Sequence, residues 1–200
     1  MGNVRLYGST SGYTELAPPA IAPDGVLTLP SGTGTLATAA YVDAAVAAGG
    51  KVLQVVSATK SDTFTLTSTS YIDITGLSVS ITPSSATSEV YVMVTVTGNG
   101  NPPSTGLFLQ LVRNSTAIAI PTSPGSRNAG FGGLYSTEAA LNQTTSTNFL
   151  DSPGTTSVTT YKVQGKVTAS TGFINRGSTD TDSSGFIRTV SSITVMEISA

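Results

Sequence analysis

The chain contains no cysteine, no histidine and no tryptophan. Without cysteine there is no disulfide and no thiolate metal site, and cysteine usage says nothing about redox compartment. Without histidine and cysteine, the commonest general base and the strongest side-chain nucleophile are both missing. Charge is also scarce. Only 10% of the 200 residues are Asp, Glu, Lys or Arg, against roughly 25% in an ordinary soluble domain. The nine basic residues, Arg5, Lys51, Lys60, Arg113, Arg127, Lys162, Lys166, Arg176 and Arg188, are scattered. They form no basic stripe for a phosphate backbone, which argues against nucleic acid as a partner. A net charge of −2 gives weak colloidal repulsion and suits a surface partly covered by partners in an assembly. No run approaches the roughly 18 apolar residues of a membrane span, so no membrane insertion is expected. The start, MGNVRLYGSTSGY, lacks the basic n-region and apolar core of a signal peptide.

What the chain does have is glycine (21), proline (10) and short Ser/Thr/Val runs, the vocabulary of strands joined by frequent reversals. Residues 1–34 carry Pro18, Pro19, Pro23 and Pro30, each lacking a ladder N–H. NVRLYG and GVLTLP read as edge strands within extended chain. Leu6, Tyr7, Tyr13, Leu16, Ile21, Val26, Leu27 and Leu29 are too many apolar side chains for a solvated linker. They favour an arm that orders on another protein over a floppy tail.

Residues 35–50 change character. GTLATAAYVDAAVAAGG predicts a short helix, with Thr38 as N-cap and Gly49-Gly50 as stop. Leu36, Ala39, Val42 and Val46 recur at 3–4 spacing and are the expected packing face. A helix of about three turns is marginal alone, so that face needs cover, from its own β domain or from copies of itself around an axis.

From residue 51 the period becomes two. In SEVYVMVTVTG, Val90, Val92, Val94 and Val96 point one way and Tyr91, Met93 and Thr95 the other, which predicts a strand covered on both faces. KVLQVVSAT, DTFTLTS, GLFLQLVRN, TAIAIPT, TTYKVQGKVTA, GFINRG and SSITVMEIS are further strands. LYSTEAALNQ reads as a weak strand whose alanines also suit a helical turn. In SYIDITGLSVSITP the inward parity shifts across Gly76, which predicts a bend or bulge. Eight to ten short antiparallel strands in residues 51–200 predict an all-β, jelly-roll-like sandwich.

Chemistry is thin. Asp180 and Asp182 are the only close carboxylate pair. An Asx-rich hairpin loop explains them better than a calcium site, which brings further oxygen ligands at set spacings. There is no G-x-S-x-G elbow, and GSTSG and SGTGTL lack the lysine of a phosphate cradle. Two carboxylates from distant strands forming a glycosidase pair stay open as an alternative. No catalytic, metal or cofactor residue is assigned, and no enzyme activity is expected. Loops 98–106, 123–134 and 175–185 have the length or glycine content to reach a ligand. Phe131 and Tyr135 either stack on sugars or fill the core rim.

The Thr-led alanine stretch ending in YVDAA resembles a short helix of tail-fibre and related appendage proteins of tailed bacteriophages. GSTSGYTELAPPAIAPDGVLTLPSGTGTL is similar to their shaft or attachment segments. IDITGLSVSITPSS, LVRNSTAIAI, PGSRNAG, FLDSPGTTSVTTYKVQ, FINRG and SSITVMEI resemble, in that order, a β-rich module of phage virion proteins. The resemblance implies a homotrimeric virion structural protein on the particle surface. Its arm (1–34) would bind other virion proteins, its helix (35–50) would join copies, and its knob (51–200) would face a host glycan or protein. A capsid decoration or head-fibre protein is the alternative, and a polysaccharide depolymerase the third.

Overall fold

The computed structural model describes residues 4–7, 13–16, 50–101, 105–122, 125–135 and 138–200. The chain divides into two units, Met1–Ala44 and Ala45–Ala200. In the first, β1 (Val4–Tyr7) and β2 (Tyr13–Leu16) form an antiparallel pair, with Val4 opposite Leu16 and Tyr7 opposite Tyr13. VRLY within NVRLYG is therefore a strand, and its partner YTEL is one the sequence patterns did not single out. The expected strand GVLTLP and the expected helix, with Leu36, Ala39, Val42 and Val46, lie outside the described residues.

The second unit is all-β. Its strands are β3 (Val52–Lys60), β4 (Phe64–Leu66), β5 (Ile72–Ile81), β6 (Glu89–Gly100), β7 (Leu107–Arg113) and β8 (Thr116–Ile118). They continue with β9 (Gly132–Leu134), β10 (Gln143–Asp151), β11 (Thr159–Val167), β12 (Gly172–Ile174) and β13 (Ser191–Ile198). The pairings are nested: β3 with β13, β5 with β11, β6 with β10, and β7 with β8 and β9, all antiparallel. This is one long hairpin wound over itself, the jelly-roll arrangement. It yields one sheet in the order β10-β6-β13-β3 and a second in the order β5-β11-β7-β8/β9. Gly98 pairs with both Gln143 and Ile174. Strand β12, carrying β4, therefore flanks β6 on the side away from β10 and continues the first sheet beyond β13.

Alternation explains the core. Val90, Val92, Val94 and Val96 of β6 and Ile193 and Val195 of β13 face Leu77, Val79, Ile81, Leu109, Leu111, Tyr161 and Val163 of the other sheet, all buried. Sequence predicts cover on both faces of β6, and within a single chain the structure shows it on one. Among the described residues the Val face alone is sealed, while Tyr91 and Met93 are half-buried and Thr95 is exposed.

The bulge at Gly76 is borne out. Lys162 pairs with Ser78 but Gln164 with Asp73, so Val163 alone faces Ile74–Leu77. Gly76 takes φ +89°, where a residue without Cβ carries no steric penalty. Ile74 and Leu77, three apart, both reach the core as a result.

Two expectations along the chain fail. QTTSTNFLD is a full strand, β10, that apolar alternation misses because Thr144, Thr145, Ser146 and Thr147 put hydroxyls on both faces. Of LYSTEAALNQ only the two end residues, Leu134 of β9 and Gln143 of β10, lie in strands among the described residues. The backbone of Ala139 instead accepts hydrogen bonds from the Thr179 N–H (3.2 Å) and the Ser178 hydroxyl (3.3 Å).

Candidate functional site

Strand β6 fixes the geometry of the knob because it runs its full length. At its Glu89 end, Ile198 pairs with both Glu89 and Val52. The chain joins there: the Lys51 N–H donates to Ser199 Oγ (3.0 Å) and the Ser199 N–H to the Lys51 carbonyl (2.9 Å). The Gly100 end lies twelve residues along the strand, about 36 Å away at strand rise.

At that far end the loops gather. Strand β12 pairs with Gly98–Gly100 and delivers residues 175–190. Loop 125–131 instead enters β9 at Gly132, opposite Leu109 and between β9 and β8 along the β7 edge, and lies beside Phe108. Segment 138–142 is tied in by buried Asn99, whose Nδ2 donates to the carbonyls of Glu138 (3.0 Å) and Leu141. It is tied also by Asn142, whose Nδ2 donates to the Ile187 carbonyl at 3.2 Å. Of the loops singled out by sequence, the described parts of 98–106 and 175–185 therefore gather at one end with 138–142, while 125–131 joins the second sheet partway along β7.

The 175–190 hairpin is aimed by Asn175, buried at φ +63°. Its Nδ2 donates to the carbonyls of Lys60 and Asp62, both at 2.8 Å, and its Oδ1 accepts from Ser191 Oγ at 2.6 Å. Asn tolerates this left-handed backbone better than most residues, and FINRG places it there. Farther out, Asp180 accepts from Arg188 Nε (3.1 Å) and Nη2 (2.8 Å), and Arg176 lies 3.5 Å away. The Arg188 hydrogen bonds hold the Asp180 carboxyl below the usual carboxylate range. Asp180 is thus spent on two arginines, as a structural hairpin requires, and does not open toward a metal with Asp182. The hairpin encloses a shallow cavity of about 380 Å³ between Asp180 and Arg188.

A second cavity, about 260 Å³, lies where Phe108 meets the glycine run 130–133. A Cβ at Gly132 would collide with Thr145, so close passage of this loop over the sheet requires glycine. The Tyr71 hydroxyl pins the loop by donating to the Ala129 carbonyl (2.5 Å), and Lys166 Nζ lies 4.8 Å from the Tyr71 ring centroid. Of the two aromatics considered for sugar stacking, Phe131 packs against the core while Tyr135 is exposed.

The buried ionic groups fasten the fold. Asp151 of β10 accepts from Arg113 Nη1 of β7 at 2.8 and 2.9 Å and from the Tyr161 hydroxyl of β11 at 2.6 Å. That joins the two sheets, and burial together with the Asp151 carboxylate pushes the Tyr161 hydroxyl up. Glu197, fully buried, accepts from Gln54 Nε2 (2.5 Å) and from Ser84 N–H (2.7 Å) and Oγ (2.6 Å). Burial pushes its carboxyl up, but the hydrogen bonds from Gln54, Ser84 and Ser88 outweigh that and hold it at about 2. Sequence reasoning missed both networks, because nothing local marks an inward-facing carboxylate as paired. Asp73 and Asp62 are likewise bonded to Lys162 and Lys60.

No protein-family model matches the sequence, and no curated protein matches it significantly. Among solved structures, a mutant VP2 protein of infectious bursal disease virus in T=1 particles is similar with TM-score 0.40 and 14% identity, over 96% of this chain and 46% of that one. VP2 of the Gx strain of the same virus gives TM-score 0.38 and 13% identity, over 94% and 44%. The chain spans less than half the length of these proteins. Likenesses at this level carry no argument about function, and the jelly-roll topology stands on the strand pairings above.

Proposed function

We propose that the chain is a bacteriophage virion structural protein, a short trimeric tail-fibre-like appendage with an N-terminal particle anchor and a host-facing β-sandwich knob. The observation that carries this reading is the polarity of the knob. The chain joins at the Glu89 end of β6, and the described parts of loops 98–106 and 175–185 gather with 138–142 about 36 Å away. A domain held at one end and decorated with loops at the other is what an attachment protein needs. The motif resemblance supplies the virion context, and the fold supports many functions on its own. Capsid decoration or a head fibre is the second reading, favoured by the low charge, which suits a protein packed among neighbours. The depolymerase reading finds no support in the carboxylates, each of Asp62, Asp73, Asp151, Asp180 and Glu197 being held by cations or donors.

Particles carrying the chain without residues 1–34 test the anchor directly: the truncated chain is expected to fold and to be missing from virions. Retained incorporation would sink the anchor. Counting copies per particle separates the first two readings. A few trimers at the tail fit an appendage, whereas hundreds across the shell would replace it with decoration. Release of reducing ends from host polysaccharide would instead revive the depolymerase.

A further inference from the structure

The outward side chains of the first sheet form rows that the strand register defines. Val55 of β3 pairs with Met196 of β13, Met196 with Tyr91 of β6, and Tyr91 with Leu150 of β10. This is an unbroken apolar row across four strands, and its two ends are open: Val55 is 54% exposed and Leu150 48%. One row nearer the chain junction, Val52 (54% exposed) and Ile198 pair and extend it, with Leu53 (46% exposed) beside them at the register shift. Toward the loops the rows change chemistry, first to Ser57, Thr194, Met93 and Asn148, then to Thr59, Ser192, Thr95 and Ser146. Hydroxyls there bond to each other, as Ser57 with Thr194 at 2.8 Å. Among the described residues of these rows Glu89, opposite Ile198 at the end nearest the chain junction, is the one charged side chain.

We infer that this face is an interface between copies of the chain, each covering the apolar rows of the next. The inference rests on the oligomeric part of the proposed reading and adds where the copies touch. Three observations select a second copy as occupant. With Glu89 at one end as its one charge, the face calls for no partner of opposite sign and sets little like-charge repulsion against itself. Its size is adequate: four strands about 4.8 Å apart and some eight residues long give roughly 500 Å² in projection, and more along the side chains. That is of the order of the about 800 Å² per partner in a stable interface. Finally, the chain joins at Gly50, where a Cβ would lie 3.1 Å from Ile198 at the apolar edge of this face. Copies gathered through the segment ahead of Gly50 have these rows within reach of one another.

The chain offers its own reporters, since Met93 and Met196 both sit on this face and Met1 is the sole other methionine. The full chain is followed by sedimentation velocity across a dilution series, and methionine oxidation by dilute peroxide is read by peptide mass at each concentration. The expected result is an oligomer in which Met93 and Met196 oxidise at least tenfold more slowly than after dilution to monomer. The double variant Val55→Asp, Leu150→Asp is expected to sediment as a monomer with fast oxidation at both sites. Both positions being half-exposed, the fold should tolerate the change, and the wild-type dilution series gives the same comparison without it. An oligomer whose Met93 and Met196 oxidise at the monomer rate overturns the inference and leaves the trimeric reading standing, with its contacts elsewhere. A chain that stays monomeric at every concentration overturns both, whatever its incorporation into particles.

Discussion

The two sheets of the knob are alike on the inside and unlike on the outside. Inward, both present Val, Ile and Leu in alternation, on β6 and β13 of one and on β5, β7 and β11 of the other. Outward, the β5-β11-β7 sheet is wired for water. Asp73 accepts from Lys162 (2.8 Å) and Gln164 (2.7 Å), Gln110 donates to Gln164 (2.7 Å), and Ser80 bonds Thr160 (2.8 Å). The β10-β6-β13-β3 sheet offers no such network over its apolar rows. A solvated antiparallel sheet ordinarily alternates hydrophobic-in and polar-out. One sheet obeys this, and the other stops obeying it near the end where the chain joins. Large exposed apolar patches mark interaction sites, so the difference separates a finished surface from one that awaits cover.

The largest effect is expected from breaking what both sheets share. Asp151→Ala leaves the Arg113 guanidinium and the Tyr161 hydroxyl without their carboxylate. It should cost about 3 kcal/mol, measured by urea unfolding of the monomeric double variant so that assembly does not mask it. A change below about 1 kcal/mol would mean that the sheets are held together by apolar packing alone.

Acid should act next, beneath the apolar rows. The Glu197 carboxyl is held at about 2 in the fold, against an ordinary 4.5. A depressed carboxyl contributes stability that is complete above its unfolded value and fades as pH falls through the folded one. Melting temperature should therefore drop between about pH 4.5 and 2, and Glu197→Gln should flatten that part of the profile. An unchanged slope in the variant would assign the acid sensitivity to other carboxylates.

Transplanting charge sharpens the comparison between faces. Val55→Asp with Leu150→Asp should weaken assembly about 100-fold, the scale of desolvating unpaired carboxylates at an interface. Ser78→Asp with Ser80→Asp on the opposite outer face should leave it within a factor of two. Equal effects on both faces would erase the distinction. The smallest change expected is Lys162→Ala, which removes a partly exposed ion pair with Asp73 and should cost no more than about 0.5 kcal/mol.

Much of this fold is legible in the sequence because burial on one face writes a period of two. Val90 to Val96, Ile193 with Val195, and the parity slip across Gly76 each announce their geometry locally. Strand β10 does not, since Thr145 and Thr147 face inward as hydroxyls and leave Phe149 as the sole large apolar residue on that face. The candidate site was legible only as separate loops. The meeting of 175–185 with 138–142 at the Gly100 end follows from the nested pairing of β6 with β10 and of β12 with β6, contacts more than 40 residues apart in sequence that no local pattern encodes. The apolar rows have the same origin. Leu150, Tyr91, Met196 and Val55 are unremarkable singly and form a row only once four strands are in register.

Hydroxyl-radical footprinting of the full chain, assembled and diluted, compares the two outer faces within one experiment. Assembly is expected to protect Leu53, Val55, Tyr91, Met93, Leu150 and Met196 while Tyr71 and Phe108 on the other sheet react as before. Protection of Tyr71 and Phe108 instead, or of neither set, would contradict the division between a finished face and one completed by a second copy.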